Sequence, residues 1–131
     1  MLDTARGGAI VNVASIAALR PRGMTAYSTS KGAVVALTRA MAVDHGAEGI
    51  RVNCVAPGAV YTPMVSAEGM SEAARERRRK ASLLEIEGNG WDVGNAVRFL
   101  LSEQARFITG QTLVVDGGAS LTGRPRATDT Q

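Results

Sequence analysis

Aromatic residues are scarce. Phe, Trp and Tyr together make up 4% of the 131 residues, so any core must rest on Ala, Val, Leu and Ile. Cysteine occurs once, at Cys54, which excludes an intrachain disulfide and accords with a reducing, cytoplasmic setting. No apolar run reaches the roughly 18 residues that a membrane-spanning helix needs, and no export signal is visible, so no membrane partner is expected. No His, Cys and carboxylate residues stand at metal-ligand spacing, so no metal is expected either. There is no internal repeat, low-complexity tract or linker.

What remains is ordinary for a globular domain: 45% apolar and 21% charged residues, with 15 glycines that suggest many tight turns. The net charge of +3 is unevenly placed. Residues 75–80 read Arg-Glu-Arg-Arg-Arg-Lys, and Arg124 and Arg126 follow near the end. Nucleic-acid binding would call for aromatic residues interleaved with this stretch, and none are. It reads as the solvated face of a helix, and no nucleic-acid partner is expected.

Along the chain, residues 9–14 form a short β-branched run between Gly7-Gly8 and Ser15, the pattern of a buried parallel strand. After a loop holding Pro21 and Gly23, residues 25–45 read as one long helix. Val34, Leu37 and Met41 give it an apolar face, and Gly46 and Gly49 end it. Residues 50–55 read as a second strand, stopped by Pro57-Gly58. A looser region leads to a charged helix over 71–83. Asp92 is the expected N-cap of a helix over 93–103, with Val97, Leu100 and Leu101 facing inward. Residues 111–116 form a third strand, and the polar tail 122–131 is expected to be flexible. Such alternation predicts an α/β fold, with right-handed crossovers and a parallel sheet covered on both faces.

The chemistry-bearing residues begin with Tyr27 and Lys31. Four residues apart, they share a helix face, so phenol and ammonium project together. A free phenol ionises near pH 10, and a neighbouring cation favours the phenolate, so the pair suits general acid/base work. Tyr and Lys at this spacing are also common surface pairs. Ser15 strengthens the case, because it ends the first strand, and ligands of open parallel sheets bind beyond the carboxyl ends of the strands. Its bland alternative is a turn or helix-cap hydroxyl. His45 reads as a helix C-terminal cation, Cys54 as a small core residue, and Trp91 as a packing anchor.

Taken together, Gly7 to Ser15, then Tyr27-Ser28-Thr29-Ser30-Lys31-Gly32-Ala33, resemble the catalytic segment of short-chain dehydrogenases/reductases. Arg51 to Met64 is similar to that family's nicotinamide-side segment, and Phe107 to Gly118 to its last strand. Three segments in the right order cover nearly the whole chain. The resemblance implies a partial Rossmann-type parallel sheet, its C-terminal three strands with flanking helices, in residues 1–121. It implies an NAD(P)-dependent oxidoreductase that interconverts an alcohol and a carbonyl by hydride transfer on a small molecule, with homo-oligomers expected at full length. By resemblance, Tyr27 would transfer the proton and Lys31 would tune it and bind the nicotinamide ribose. Ser15 would orient the substrate oxygen. Pro57, Gly58, Val60 and Thr62 would hold the nicotinamide.

The family's opening strand and pyrophosphate-binding glycine loop have no counterpart among these residues. Gly88-Asn89-Gly90-Trp91-Asp92-Val93-Gly94 is the nearest approach to such a loop, but its last spacing is one residue too long. It also follows a charged helix rather than a buried strand, and reads as a turn into the Asp92 cap. The residues that would choose NAD or NADP are missing with the loop. The chain is therefore expected to be a fragment, a truncated gene product or an incomplete sequence, inactive alone. A non-catalytic remnant acting through oligomerisation is the alternative expectation.

Overall fold

The computed structural model describes residues 7–63 and 69–122. The first strand, β1, is Gly8–Val13; α1 is Thr25–His45; β2 is Ile50–Pro57. A two-residue strand β3, Val60–Tyr61, precedes α2, Glu72–Lys80. Then come β4, Gly88–Asn89, α3, Gly90–Leu101, and β5, Thr112–Val115. The main sheet has the order β1-β2-β5 and is parallel throughout. A small parallel pair, β3-β4, stands apart from it, a feature with no local sequence signal. Most of the tail expected at 122–131 lies outside the described residues.

β2 organises the core because alternate residues serve opposite faces. On one face Ile50 and Val52 meet Ala42 of α1, and Cys54 meets Val35. On the other, Val55 packs with Leu100 of α3 and Ala105. Cys54 is fully buried, the small core residue expected from sequence. Side chains carry the strand pairing beyond β5. Asn53, 1% exposed, donates to the Ile108 carbonyl at 2.9 Å, and its Oδ1 accepts the Gln111 N–H at 3.0 Å. The Thr109 hydroxyl accepts from the Val52 N–H at 3.0 Å. Arg51 reaches the Leu100 and Ser102 carbonyls at 2.8 and 3.1 Å, satisfying the orphan acceptors at the end of α3.

The helices meet expectation in part. α1 has the expected bounds, and Val34 and Met41 pack against the core as expected, but Val35, Thr38 and Ala42 are its buried residues and Leu37 is 52% exposed. An alanine-rich helix is apolar on several faces, and a polar contact decides here. Asn12 Nδ2 of β1 donates to the Thr38 hydroxyl at 3.0 Å, which donates to the Val34 carbonyl at 2.8 Å, so Thr38 turns inward. α3 starts three residues earlier than expected. Asn89, not Asp92, is its N-cap; the Asp92 carboxylate instead accepts the Asn89 N–H at 2.8 Å, closing a capping box. Leu100 is buried and Val97 packs against the core as expected, but Leu101 is 46% and Trp91 81% exposed, so neither Leu101 nor Trp91 is the inward-facing group expected.

The basic helix α2 is also more than a solvated face. Ser71 caps it, its hydroxyl accepting the Ala74 N–H at 3.2 Å. Arg75 binds both oxygens of Glu87 and stacks 4.5 Å from the centroid of the Tyr61 ring. Arg78 donates to the Val60 carbonyl at 3.0 Å. Arg79 pairs with Glu72 and Glu76. The charge run thus ties α2 to β3 and to the segment that enters β4.

Candidate active site

Beyond the carboxyl ends of β1 and β2 lies a cavity of about 530 Å³. Ser15, Tyr27, Gly58, Val60 and Thr62 all line it, so five of the seven residues singled out from sequence share one space. Lys31 stands behind Tyr27 rather than on the cavity wall. Its ammonium lies 5.8 Å from the Tyr27 ring centroid and donates to the Val13 carbonyl at 3.3 Å. Pro57 ends β2 and delivers the turn without itself lining the cavity.

Each placement has a local cause. Ser15 follows the last residue of β1 by two positions and caps a single turn of 3-10 helix at Ile16–Ala18, accepting the Ala17 N–H at 3.1 Å. The cap is the bland role anticipated for it, and it leaves the hydroxyl proton free for another acceptor. Tyr27 is in the first turn of α1, 43% exposed. The residue before that helix, Met24, has φ 51°, a left-handed conformation costly for a residue with a side chain, and it too lines the cavity.

Gly58 is required by packing. A Cβ there would lie 2.6 Å from the Asp116 Cβ and 2.9 Å from its Cα, so only glycine lets the two turns approach. Asp116 in turn organises residues 117–120. Its two carboxylate oxygens accept the Gly118 and Ser120 N–H groups at 2.8 and 2.7 Å. Burial pushes the Asp116 carboxyl up, but the hydrogen bonds from Ser120 and Gly118 outweigh it and hold the group below the ordinary carboxylate range. Arg20 fastens the same turn by donating to the Ala119 and Ser120 carbonyls at 3.3 and 3.0 Å.

Sequence reasoning did not find the three arginines of the cavity wall, Arg20, Arg22 and Arg78. Arg20 and Arg22 sit in an irregular loop, and Arg78 is one of four arginines in five residues. Only the tertiary arrangement separates these from solvated neighbours. The arrangement as a whole offers two hydroxyls, Ser15 and Tyr27, to one ligand, with a cation beside one of them. That is the equipment for hydrogen-bonding and protonating an oxygen.

Comparison with known proteins agrees with this geometry. The family model described as enoyl-(acyl carrier protein) reductase matches residues 3–120. A (2S)-[(R)-hydroxy(phenyl)methyl]succinyl-CoA dehydrogenase subunit of Thauera aromatica is 43% identical over 116 residues, which are 87% of this chain and 45% of that protein. A meso-2,3-butanediol dehydrogenase of Serratia marcescens is 40% identical over 121 residues, 91% of this chain and 47% of that protein. Among solved structures, a 4-hydroxyisoleucine dehydrogenase complexed with NADH superposes with a TM-score of 0.77 at 36% identity, covering 88% of this chain and 48% of the other. The chain thus spans about half the length of the relatives it matches. A three-stranded parallel sheet, a Ser and a Tyr over one cavity, and a family match along nearly the whole sequence converge: the chain belongs to the short-chain dehydrogenase/reductase family.

Proposed function

We propose that residues 7–122 form the substrate and nicotinamide-side half of an NAD(P)-dependent oxidoreductase that interconverts an alcohol and a carbonyl. The observation that carries this reading is the shared cavity, which brings Ser15 and Tyr27 together with Gly58, Val60 and Thr62. The nicotinamide fits the residues present. A cavity of about 530 Å³ is within the usual range for small ligands, and the small residues Gly58 and Ala59 on its wall allow close approach of a flat ring. When bound, the cofactor gives or takes the hydride.

This chain's residues do the rest. The Tyr27 hydroxyl donates its proton to the carbonyl oxygen during reduction and takes it back during oxidation. Ser15 hydrogen-bonds the same oxygen and fixes its position. Lys31, held by the Val13 carbonyl at 3.3 Å, sets its ammonium 5.8 Å from the centroid of the Tyr27 ring, beside the group that transfers the proton. It also retains N–H groups for the nicotinamide ribose. Val60 and Thr62 on the cavity wall would hold the carboxamide of the nicotinamide, and the turn that Pro57 delivers at Gly58 would lie against its ring.

The test is a chimera in which residues 7–122 replace the matching segment of the Serratia relative. It should oxidise NADH in the presence of small ketones. Tyr27→Phe in that chimera should lower kcat by about 10²–10⁴-fold, the usual worth of a positioned acid. An unchanged rate would show that another group transfers the proton. For the 131-residue chain alone, titration with NADH and NADPH by fluorescence should show no micromolar binding, because the described residues include no glycine loop to take the pyrophosphate of a dinucleotide. Tight binding by a folded monomer would overturn that expectation.

A further inference from the structure

The cavity wall carries charge of one sign. Arg20, Arg22 and Arg78 line it, and no Asp or Glu among the described residues does. The three are differently committed. Arg20 fastens the 119–120 turn through its NH1. Arg78 gives NH2 to the Val60 carbonyl, while its Nε is buried with no hydrogen-bond partner. Arg22 is exposed and meets no hydrogen-bonding or ionic partner among the described residues. On α2, Arg75 is matched by Glu87 and Arg79 by Glu72 and Glu76, whereas Arg77, exposed to solvent, and Arg78 have no carboxylate partner among the described residues. The arginine that faces the cavity is left without a carboxylate.

Guanidinium groups are suited to carboxylates and phosphates, which they bind through charge-assisted hydrogen bonds. Unmatched cations in a cleft also raise the local concentration of anions. Resting on the reading of this cavity as the substrate pocket, we propose that the substrate carries an anionic group, a carboxylate or a phosphate. Arg22 and the Arg78 guanidinium on the cavity wall hold that group while the substrate's carbonyl or hydroxyl meets Ser15 and Tyr27.

The test titrates the isotope-labelled 131-residue chain with levulinate and with methyl levulinate, the same ketone without the charge. NMR follows the arginine Nε–H signals and the Ser15 and Tyr27 amides. Levulinate should shift Arg22, Arg78, Ser15 and Tyr27, and should bind about tenfold more tightly than the ester, the worth of one charge-assisted hydrogen bond. Arg22→Gln should remove most of that ratio and Arg22→Lys should keep part of it. Equal binding of acid and ester would overturn the proposal and leave the pocket reading intact. Levulinate shifting the arginines but neither Ser15 nor Tyr27 would sink the pocket reading instead. NADH shifting Arg22 where levulinate does not would assign the cations to cofactor phosphate, against the proposal. The chimera gives a second readout that does not need the chain to fold alone. There the kcat/KM ratio of levulinate to ester should exceed unity and fall in Arg22→Gln; a ratio of one in the parent chimera overturns the proposal.

Discussion

β1 and β2 are paired strands of similar composition with different surroundings. Both are short apolar runs rich in β-branched residues. In β2, Val52, Cys54, Val55 and Ala56 are completely buried, whereas no residue of β1 is, and Val13 is 48% exposed. The difference is in the neighbours. β2 has a strand on each side and a helix on each face, while β1 has β2 on one side and no strand on the other among the described residues. An apolar run therefore specifies a strand, but what covers it is decided by the rest of the sheet. The substitutions below set the two strands, and the cavity walls attached to them, against one another.

The largest expected effect is in β2. Asn53→Leu would take from the Gln111 N–H its side-chain acceptor, leave the Ile108 carbonyl only the longer 3.4 Å bond from Arg51, and replace a buried amide with a bulkier group, at a cost of about 2–4 kcal/mol. Denaturant unfolding measures it. A loss under about 1 kcal/mol would show that segment 108–111 is held by backbone pairing alone, and that β2 is less central than its burial implies.

Next comes the turn after β2. Gly58→Ala places a methyl against the backbone of Asp116, so the two turns must separate; overpacking of this kind costs about 1–3 kcal/mol. Because Gly58 lines the cavity, the same change should weaken ligand binding there. Stability lost with ligand shifts at Ser15 and Tyr27 unchanged would separate the packing role from the site.

The fold was largely legible in the sequence. Local pattern marked α1 at its observed bounds, and alternation of strand and helix implied a parallel sheet whose order is β1-β2-β5. The placement of Ser15 and Tyr27 beyond the strand ends followed from the same topology. What could not be read depended on contacts distant in sequence. Thr38 turns inward only because Asn12, 26 residues away, meets it. Arg78 differs from Arg77 only in what α2 packs against. The capping box at Asn89 and Asp92 was visible in principle, but Asp92 alone looked like a sufficient cap.

Acid should divide core from cavity wall. The hydrogen bond from Arg75 holds the Glu87 carboxyl below its ordinary value of 4.5, and that from Arg79 does the same for Glu76. Asp116 is held below 3.8 by the hydrogen bonds from residues 118 and 120, despite burial acting the other way. A lowered folded-state pKa means that the unfolded chain binds more protons in this range. These groups therefore stabilise the fold fully above about pH 5, and their contribution is lost as pH falls through the folded values. Residues 60–61 and 117–120 should lose hydrogen-exchange protection on acidification before residues 52–55 do. Glu87→Gln should remove the pH dependence at 60–61 without touching that at 117–120. Simultaneous loss everywhere would mean that wall and core open as one unit.

The smallest expected effect is the most direct comparison of the two strands. Val13 and Val55 are register partners across β1 and β2, one 48% exposed and the other fully buried. Val→Thr keeps the β-branched shape and replaces a methyl with a hydroxyl, so strand propensity is nearly constant and burial is what differs. At Val55 the hydroxyl enters the cluster of Leu100 and Ala105, where desolvation costs about 1–3 kcal/mol. At Val13 water can still reach the hydroxyl, and the change should stay within about 0.5 kcal/mol. The comparison breaks if Val13→Thr costs as much as Val55→Thr. That result would mean β1 is covered in solution, by another copy or another polypeptide, and dilution of the protein should then bring the Val13→Thr cost back down if the cover is a second copy.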